Sequence, residues 1–326
     1  MTTNCSFKDV DELMQSVELV IYVPTFVFGL LLNTLVLAVF CVKLQKWNES
    51  TIFMTNLAVM DLLLLLLLPF KMHATHHWWA ASRKLACSFL ETMYFVGMYG
   101  SIYTITCLAL YRYIVIRYPM RAKEVHSPKA AIIVCMTIWV LVLGATSPVY
   151  SFRDNSDQPF HCFHGFSDKG WSPAYIGCVE VFGFLLPATV LMVCSLQSIR
   201  TLKQSHERST KSRVGEQIMY SNLCGFLIPF TPCHLGIFLQ FLVRQGVITA
   251  CQSQTGIALF LQVAMCLANV TCCLDALCSY FIIKEVRSPQ GNRQTIFKQE
   301  GDRHIRTVVH YCESFMIKDE RQWYRR

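Results

Sequence analysis

Long stretches of the chain that carry almost no charged residue constrain its fold more than any other feature. Seven such stretches follow one another, and each holds at least 19 residues. They cover 19–42, 50–70, 92–111, 130–152, 181–199, 217–243 and 256–283. About 20 apolar residues of helix cross a bilayer core, where every backbone amide must be paired within the helix itself. With 53% hydrophobic and 15% charged residues, the chain is predicted to be an all-α integral membrane protein, a seven-transmembrane helix bundle.

The basic residues predict how this bundle is oriented. The segments after the first, third and fifth stretches and the C-terminal segment together hold 22 of the 29 lysines and arginines. Because cytoplasmic loops are enriched in basic residues, these segments are expected inside the cell and the N-terminus outside. Residues 1–14 show no leader pattern, so the first helix is expected to direct insertion. The formal charge of +8 then reflects loops near acidic lipid, and no nucleic-acid partner is expected.

The pattern predicts one helical domain with two polar ends. Residues 1–16 are expected to form an extracellular N-terminal tail, 17–286 the seven-transmembrane domain, and 287–326 a cytoplasmic C-terminal tail. Within the domain, 282–286 could form a short amphipathic helix after the seventh stretch, with its basic side chains facing lipid headgroups.

Four of the 16 cysteines lie on the expected outer side, where the environment is oxidising. They are Cys5, Cys87, Cys162 and Cys251, and four cysteines allow three pairings. Asn4 begins the triplet Asn-Cys-Ser, which is a glycosylation sequon on the same side. The outer surface is therefore predicted to carry disulfides and one glycan.

Two acidic residues, Asp61 and Asp275, lie within otherwise uncharged stretches. An ionisable side chain at bilayer depth is costly, so both are candidates for function. Asn33, Ser101 and Asn269 add oxygen atoms at similar depth. The group could hold a hard monovalent cation with water, or the two acids could share a proton.

The outer ends of the stretches carry more basic than acidic side chains. The basic ones are Lys71, His73, His76, His77, Arg83, Lys84, Arg153, His161, His164 and Arg244, against Glu91 and Glu180. Apolar side chains expected beneath them are Tyr94, Phe95, Met98, Tyr99, Phe182, Phe184, Phe238 and Met265. These basic side chains would form the opening of a cavity, called the mouth here. Such a mouth suits a ligand with an anionic head and an apolar tail. No metal site is expected at 161–164, because a disulfide at Cys162 would leave too few zinc ligands.

Several short motifs carry a family resemblance. They are Gly-Leu-Leu-Leu-Asn at 29–33, Asn-Leu-Ala-Val-Met-Asp at 56–61, Cys87, Arg112, Arg-Tyr-Pro at 117–119, Trp139, Pro187 and Pro232. In this order and spacing, the chain resembles class A, rhodopsin-like G-protein-coupled receptors from about residue 13 to residue 286. The resemblance implies a Cys87–Cys162 disulfide and an arginine, Arg112, that meets a heterotrimeric G protein. It also implies a sodium pocket of Asp61, Ser101 and Asp275.

Longer segments are similar to one branch of that family, the lysophosphatidylinositol-type or cannabinoid-like receptors. These segments are Leu-Pro-Phe-Lys-Met at 68–72, Glu-Val-Phe-Gly-Phe-Leu-Leu-Pro at 180–187, 22–33, 234–244 and 269–275. The resemblance implies lysophospholipid agonists, coupling to Rho-activating and q-class G proteins, and a second disulfide between Cys5 and Cys251. It implies a ligand site lined by Lys71, Glu91, Tyr94, Phe95, Met98 and Arg244.

The chain also departs from the family pattern. Tyr111 stands where an acid usually precedes the arginine, so the usual restraining ion pair with Arg112 cannot form. A phenol offers only a neutral hydrogen bond, so the resting state is expected to be held less firmly. Phe230 replaces a tryptophan, and the end of the seventh stretch lacks a proline before Ser279 and Tyr280.

Other functions fit the sequence less well. A transporter or channel would need inverted repeats, broken half-helices or a charged ring, and none is evident. An opsin would need a lysine in the seventh stretch, where Asn269 lies instead. An intramembrane enzyme could use only Asp61 and Asp275, so no enzyme is expected. The main alternative is a lipid- or peptide-binding protein of the same fold that couples poorly to G proteins, as Tyr111 and Ser279 could imply.

Overall fold

Helices account for nearly all of the residues that the computed structural model describes, which are 7–44, 47–119, 127–152, 158–163, 166–204 and 210–287. The α-helices are α1 (Lys8–Ala38), α2 (Glu49–His76), α3 (Lys84–Arg117), α4 (Pro128–Thr146), α5 (Pro173–Glu180), α6 (Leu186–Gln204), α7 (Thr210–Arg244), α8 (Cys251–Asn269) and α9 (Thr271–Arg287). A π-helical segment, Val181–Leu185, joins α5 to α6, and another, Val39–Leu44, continues α1.

These helices form seven segments that are long and apolar enough to cross a membrane. The spans, numbered in chain order, are Val10–Val42, Glu49–Ala74, Ala81–Arg117, Pro128–Ser151, Pro173–Gln204, Arg213–Arg244 and Cys251–Tyr280. The fifth span contains α5 and α6, and the seventh contains α8 and α9 on either side of Val270. The predicted seven-helix bundle is confirmed.

Local sequence explains where several helices begin. Asn48 precedes α2, and its side-chain oxygen accepts a hydrogen bond of 2.9 Å from the Thr51 amide. Ser127 and Ser172 cap α4 and α5 in the same way, and each is followed by a proline at the first helical position. An N-cap oxygen satisfies an amide that has no partner inside the helix, and proline needs none there.

The second and third spans form the centre of the bundle. In the most apolar part of each, 67% of the residues are buried, against 28% in the fourth and fifth spans. The peripheral spans present large apolar side chains outward, such as Val140 and Leu141, which are 67% and 65% exposed. Outward apolar surface of this extent fits a bundle that is surrounded by lipid.

The first helix begins earlier than the predicted boundary at residue 17, because α1 starts at Lys8. Val10, Met14, Glu18 and Tyr22 recur every four residues along it and are all buried against the bundle. This periodicity extends the helix beyond the charge-free stretch. At the other end, residues 282–286 are helical and continue α9 without interruption to Arg287. The tail 288–326 lies outside the described residues.

Two short strands and a disulfide mark one end of the bundle, called the outer end here. Trp78–Trp79 pairs antiparallel with Phe160–His161. Cys87, at the start of the third span, is disulfide-bonded to Cys162, as predicted. Cys251 is disulfide-bonded as well, but its predicted partner Cys5 lies outside the described residues, as does Asn4.

Candidate functional site

A cavity of about 780 Å³ opens in the outer half of the bundle. Most of its wall is aromatic or aliphatic, and its residues come from all seven spans. Of the six side chains expected to line a ligand site, Lys71, Tyr94, Phe95 and Arg244 lie in the wall of this cavity. The size and composition of this cavity are those of a small-molecule site with a few polar anchors.

Lys71 lies buried at the side of the cavity where the first and second spans meet. Its ammonium donates to the Tyr94 hydroxyl at 3.1 Å and lies 4.2 Å from the centre of that ring. It also lies 5.5 Å from the Tyr22 ring and 5.7 Å from the Phe163 ring. Cation–π contacts of this kind stabilise a cation that has lost much of its water.

The Lys71–Tyr94 contact continues into the seventh span. The Tyr94 hydroxyl donates to Asn269 Oδ1 at 3.0 Å, and Asn269 is the last residue of α8. A chain of hydrogen bonds therefore runs from the cavity wall to the point where the seventh span is interrupted.

Arg244 approaches the cavity from the other side of the bundle, at the outer end of the sixth span. It is exposed, and its guanidinium lies 5.8 Å from the centre of the Trp171 ring. Lys71 and Arg244 are thus the two cations of the cavity wall among the described residues, one buried and one at the surface. The other basic side chains of the expected mouth do not line this cavity where they are described; Arg153, His164 and the side chain of His76 lie outside the described part of the chain.

Glu91, which was also expected to line the ligand site, does not lie in the wall of this cavity. It is fully buried, and its Oε1 accepts a hydrogen bond of 2.8 Å from the backbone amide of Phe163. Phe163 has a φ of 65°, a left-handed conformation that costs energy for a non-glycine residue. By holding this amide, Glu91 positions the Phe163 ring against Tyr94, 5.7 Å away between centres.

Met98 is also absent from the wall of this cavity. Its side chain is only 3% exposed and packs in the apolar core of the bundle with Leu64 and Phe230. Phe238, one of the aromatic residues expected beneath the mouth, is instead 45% exposed on the side of the sixth span that faces away from the bundle. Spacing alone does not distinguish a cavity-facing position from a neighbouring one on the same helix.

Two acidic residues of the first helix, Asp11 and Glu18, line the cavity and were missed by the sequence analysis. Glu18 is 6% exposed and interacts electrostatically with Lys71. In the sequence, Glu18 directly precedes the first uncharged stretch, 19–42. The four-residue spacing from Val10 to Tyr22 is the signal that could have identified it as inward-facing.

One side of the cavity lies between the third, fourth and fifth spans. Its wall there includes Leu141 and Phe182, which are 65% and 55% exposed on the outer surface of the bundle. Tyr103 donates to the Phe182 carbonyl at 2.7 Å across this gap. At Gly183, a Cβ atom would lie 2.8 Å from the Tyr99 ring, so only glycine allows this approach. The apolar wall is therefore continuous with the lipid-facing surface.

A second polar group lies deeper in the bundle and involves the predicted sodium pocket. Ser101 donates to Asp61 Oδ1 at 2.8 Å, and Asp61 and Asp275 are 1% and 9% exposed and interact electrostatically. Asn33 donates to the Cys272 carbonyl at 3.1 Å, beside the interruption of the seventh span. Among the described residues, no well-formed hydrogen bond reaches Oδ2 of either aspartate or Oδ1 of Asn33.

Arg112 lies near the end of the third span that is opposite the disulfide. Its Nη1 is buried and has no hydrogen-bond partner in the described part of the chain. The hydroxyl of the preceding residue, Tyr111, does not donate to Arg112. It donates to Glu49 Oε2 on the second span, at 3.2 Å. The expected neutral hydrogen bond between Tyr111 and Arg112 is thus replaced by a contact with Glu49. Nearby, a hydrogen bond of 3.0 Å between Ser221 Oγ and Cys278 Sγ links the sixth and seventh spans.

Known proteins are similar to this chain over most of its length. Residues 32–278 match the family described as 7 transmembrane receptor (rhodopsin family). G-protein coupled receptor 55 of Homo sapiens is 41% identical over 291 residues, which cover 87% of this chain and 90% of the relative. G-protein coupled receptor 35 of Homo sapiens is 35% identical over 263 residues, 79% of this chain and 81% of the relative. Lysophosphatidic acid receptor 4 of Homo sapiens is 31% identical over 278 residues, 81% of this chain and 74% of the relative.

Proposed function

Because the chain belongs to the rhodopsin family of seven-transmembrane receptors, we propose that it is a receptor for an anionic lysophospholipid such as lysophosphatidylinositol. Membership makes the chain a multi-pass membrane receptor of the G-protein-coupled class rather than an enzyme. In this proposal, the outer end with its disulfide faces the extracellular space at the plasma membrane.

The observation that carries the proposal is the pairing of an apolar cavity with two cations in its wall. Lys71 and Arg244 could hold a phosphate through charge-assisted hydrogen bonds, which are the strong kind in a partly dry site. The remaining wall is suited to an acyl chain, whose burial contributes about 0.8 kcal/mol per methylene. A molecule with one anionic head and one long tail uses both features.

The side of the cavity between the third, fourth and fifth spans supports a lipid ligand in particular. Leu141 and Phe182 belong both to the wall and to the lipid-facing surface. An acyl chain that extends past them leaves the cavity without meeting water. The lysophosphatidic acid receptor among the relatives is named for a ligand of this chemical class.

Signalling is proposed to run through Arg112 to a heterotrimeric G protein of the Rho-activating or q class. An arginine with a planar, rigid fork of donors suits the backbone carbonyls of an inserted helix. Its buried Nη1 has no partner within the described residues, so a partner gained on coupling would stabilise the active state. The alternative, a lipid- or peptide-binding protein that couples poorly, rests on the departures from the family pattern at Tyr111 and Ser279.

A sodium ion is proposed to bind with Asp61, Ser101 and Asp275 in the resting receptor. Two buried carboxyl groups that interact with one another are costly unless a cation or a proton lies with them. The carboxylate oxygens without a hydrogen bond, together with Asn33 Oδ1, are hard donors of the kind that sodium prefers. Sodium would supply a positive charge there, and Ser101 would orient Asp61 through its hydrogen bond.

The experiment is a Rho-pathway reporter in cells that express this chain. The cells are challenged with lysophosphatidylinositol, lysophosphatidic acid, lysophosphatidylcholine and neutral monoacylglycerol, all with one acyl chain. The proposal expects a response to at least one of the two lipids with net negative charge, larger than to the neutral lipid and absent from vector-transfected cells. Equal responses to the neutral lipid, or none to any lysophospholipid, would contradict it.

A further inference from the structure

The charges in the wall of the outer cavity are balanced. Among the described residues, its charged side chains are two basic ones, Lys71 and Arg244, and two acidic ones, Asp11 and Glu18. The basic character expected of the outer end therefore does not extend into the cavity. A head group that enters meets carboxylates as well as cations.

Glu18 and Lys71 lie on the same side of this cavity. Glu18 is almost fully buried and interacts electrostatically with the Lys71 ammonium, which also contacts the Tyr22 and Tyr94 rings. In such surroundings, charges are weakly screened, so the carboxylate offsets much of the positive field of Lys71. Arg244, in contrast, lies exposed on the sixth span beside Trp171.

The balance of acidic and basic side chains affects whether a phosphate monoester or a phosphate diester can bind in the cavity. A phosphate monoester carries between one and a half and two negative charges near neutral pH, whereas a diester carries one. Bringing a second negative charge toward Glu18 costs free energy, because like charges repel strongly where water is scarce. A substituent on the phosphate with hydroxyl or ammonium donors would instead find acceptors in the carboxylates.

We propose that Glu18, assisted by Asp11, determines head-group selectivity: the cavity accepts a lysophospholipid phosphodiester with a hydrogen-bond-donating head and rejects the bare monoester. This inference rests on the proposed lysophospholipid receptor function. Arg244 and the remaining positive field of Lys71 hold the single phosphate charge, and the donor group of the head faces the carboxylates of the wall. Specificity then comes from repulsion of the wrong ligand as much as from attraction of the right one.

The test compares Glu18→Gln with wild type at matched surface expression. Potency is measured for lysophosphatidylinositol, lysophosphatidylethanolamine, lysophosphatidylcholine and lysophosphatidic acid with the same acyl chain. Wild type is expected to prefer the inositol or ethanolamine lipid over the monoester, and Glu18→Gln to reduce that preference about fivefold or more, mainly by a gain for the monoester. The two donor-bearing lipids separate a polyol head from an ammonium head, and the choline lipid lacks donors.

Three further variants complete the design. Glu12→Gln removes an exposed carboxylate of the same helix that does not line the cavity, and it should leave the preference unchanged. Glu18→Asp keeps the charge and should retain most of the preference. Asp11→Asn, at an exposed position in the wall, should shift the preference in the same direction by about twofold. It carries the test if Glu18→Gln does not reach the surface.

The outcomes separate this inference from the function on which it rests. If wild type responds to lysophospholipids but the preference is the same in Glu18→Gln, or in Asp11→Asn where only that variant is expressed, the selectivity role is overturned. If Glu12→Gln shifts the preference as much as Glu18→Gln, the effect is one of surface charge and the inference is equally wrong. A wild type that binds no lysophospholipid would overturn the proposed function itself.

Discussion

The outer cavity and the deeper polar group around Asp61 differ in how their charged groups are held. At the cavity, Lys71 donates to Tyr94, and Tyr94 donates to Asn269. Outside its wall, Glu91 holds the backbone of Phe163. In the wall, Trp171 Nε1 and Gln240 Oε1 are buried without a hydrogen bond among the described residues. In the inner half, Oδ2 of Asp61, Oδ2 of Asp275 and Nη1 of Arg112 are buried and lack hydrogen bonds in the described part of the chain.

This difference indicates in which half of the bundle the charged side chains are already held in place before a ligand binds. A cation that neighbouring side chains already hold, as Tyr94 holds Lys71, binds without a large ordering cost. Buried polar atoms that lack partners are costly, and that cost falls when a cation, a proton or a partner protein supplies what is missing. We therefore expect the outer half to set affinity and the inner half to set the balance between resting and signalling states.

The Tyr94–Asn269 hydrogen bond joins the two halves. It ends at the last residue of α8, and beyond the interruption at Val270 the seventh span carries Cys272 and Asp275. A ligand that shifts Lys71 or Tyr94 would move this junction, which is where the two halves of the bundle meet in the seventh span.

The largest expected effect is the loss of signalling in Arg112→Ala. If Arg112 is the G-protein contact, agonist-stimulated Rho-pathway output should fall to the level of untransfected cells, while ligand binding measured without G protein stays unchanged. Arg117→Ala, which removes an exposed cation at the end of the same helix, is the control and should retain most of the response. An undiminished agonist response in Arg112→Ala would remove this residue from the coupling site.

Next in size is the effect of removing the cavity cations. Arg244→Gln and Lys71→Gln should each weaken an acidic lysophospholipid about tenfold or more, which corresponds to roughly 1.4 kcal/mol. The measurement is competition binding on membranes. Arg83→Gln serves as the control, since Arg83 is an exposed outer-end cation that does not line the cavity. If potency and binding survive both cavity substitutions, the anion site lies elsewhere.

A smaller effect, on ligand-independent signalling, is expected from substitution of Tyr111. It tests whether the resting state of the inner half is held only weakly. Tyr111 donates to Glu49 and leaves Arg112 without an acid beside it. Measurable ligand-independent signalling is therefore expected in wild type, and Tyr111→Asp should lower it several-fold, about as much as one charge-assisted hydrogen bond allows. Tyr111→Phe, which loses only the hydroxyl, should not lower it. Equal basal Rho-pathway output from wild type and Tyr111→Asp at matched expression would defeat this view.

The smallest expected effect concerns sodium. If Asp61 and Asp275 hold sodium in the resting state, replacing sodium by a large organic cation should raise agonist affinity about threefold, a modest coupling free energy. Asp275→Asn should abolish that dependence. Agonist binding that ignores the cation exchange in wild type would favour a proton shared by the two acids.

Much of this architecture could be predicted from the sequence. The seven uncharged stretches are present as spans because a bilayer requires apolar helices of that length, and Cys87 pairs with Cys162. Lys71, Tyr94, Phe95 and Arg244 line the cavity, and Ser101 bonds to Asp61. These positions follow from charge, chain order and family motifs.

The rest depends on packing that no local pattern encodes. Glu91 was expected to meet ligand, but it holds the Phe163 amide, because a loop far away in sequence folds over it. Glu18 directly precedes the first uncharged stretch, but α1 begins at Lys8 and buries Glu18 against the bundle. Tyr111 was considered only beside Arg112, whereas Glu49 on another span accepts its hydrogen bond. Each contact joins residues that are distant in the chain.

The most direct test of the division between the two halves is a paired measurement on purified receptor in nanodiscs. For wild type, Arg244→Gln and Arg112→Ala, lysophosphatidylinositol binding is measured without G protein, and stimulated nucleotide exchange is measured with a Rho-activating G protein. We expect Arg244→Gln to weaken binding about tenfold and still reach near-wild-type exchange at saturation, and Arg112→Ala to bind like wild type without exchange. Binding and maximal exchange that fall together in both variants would contradict the account.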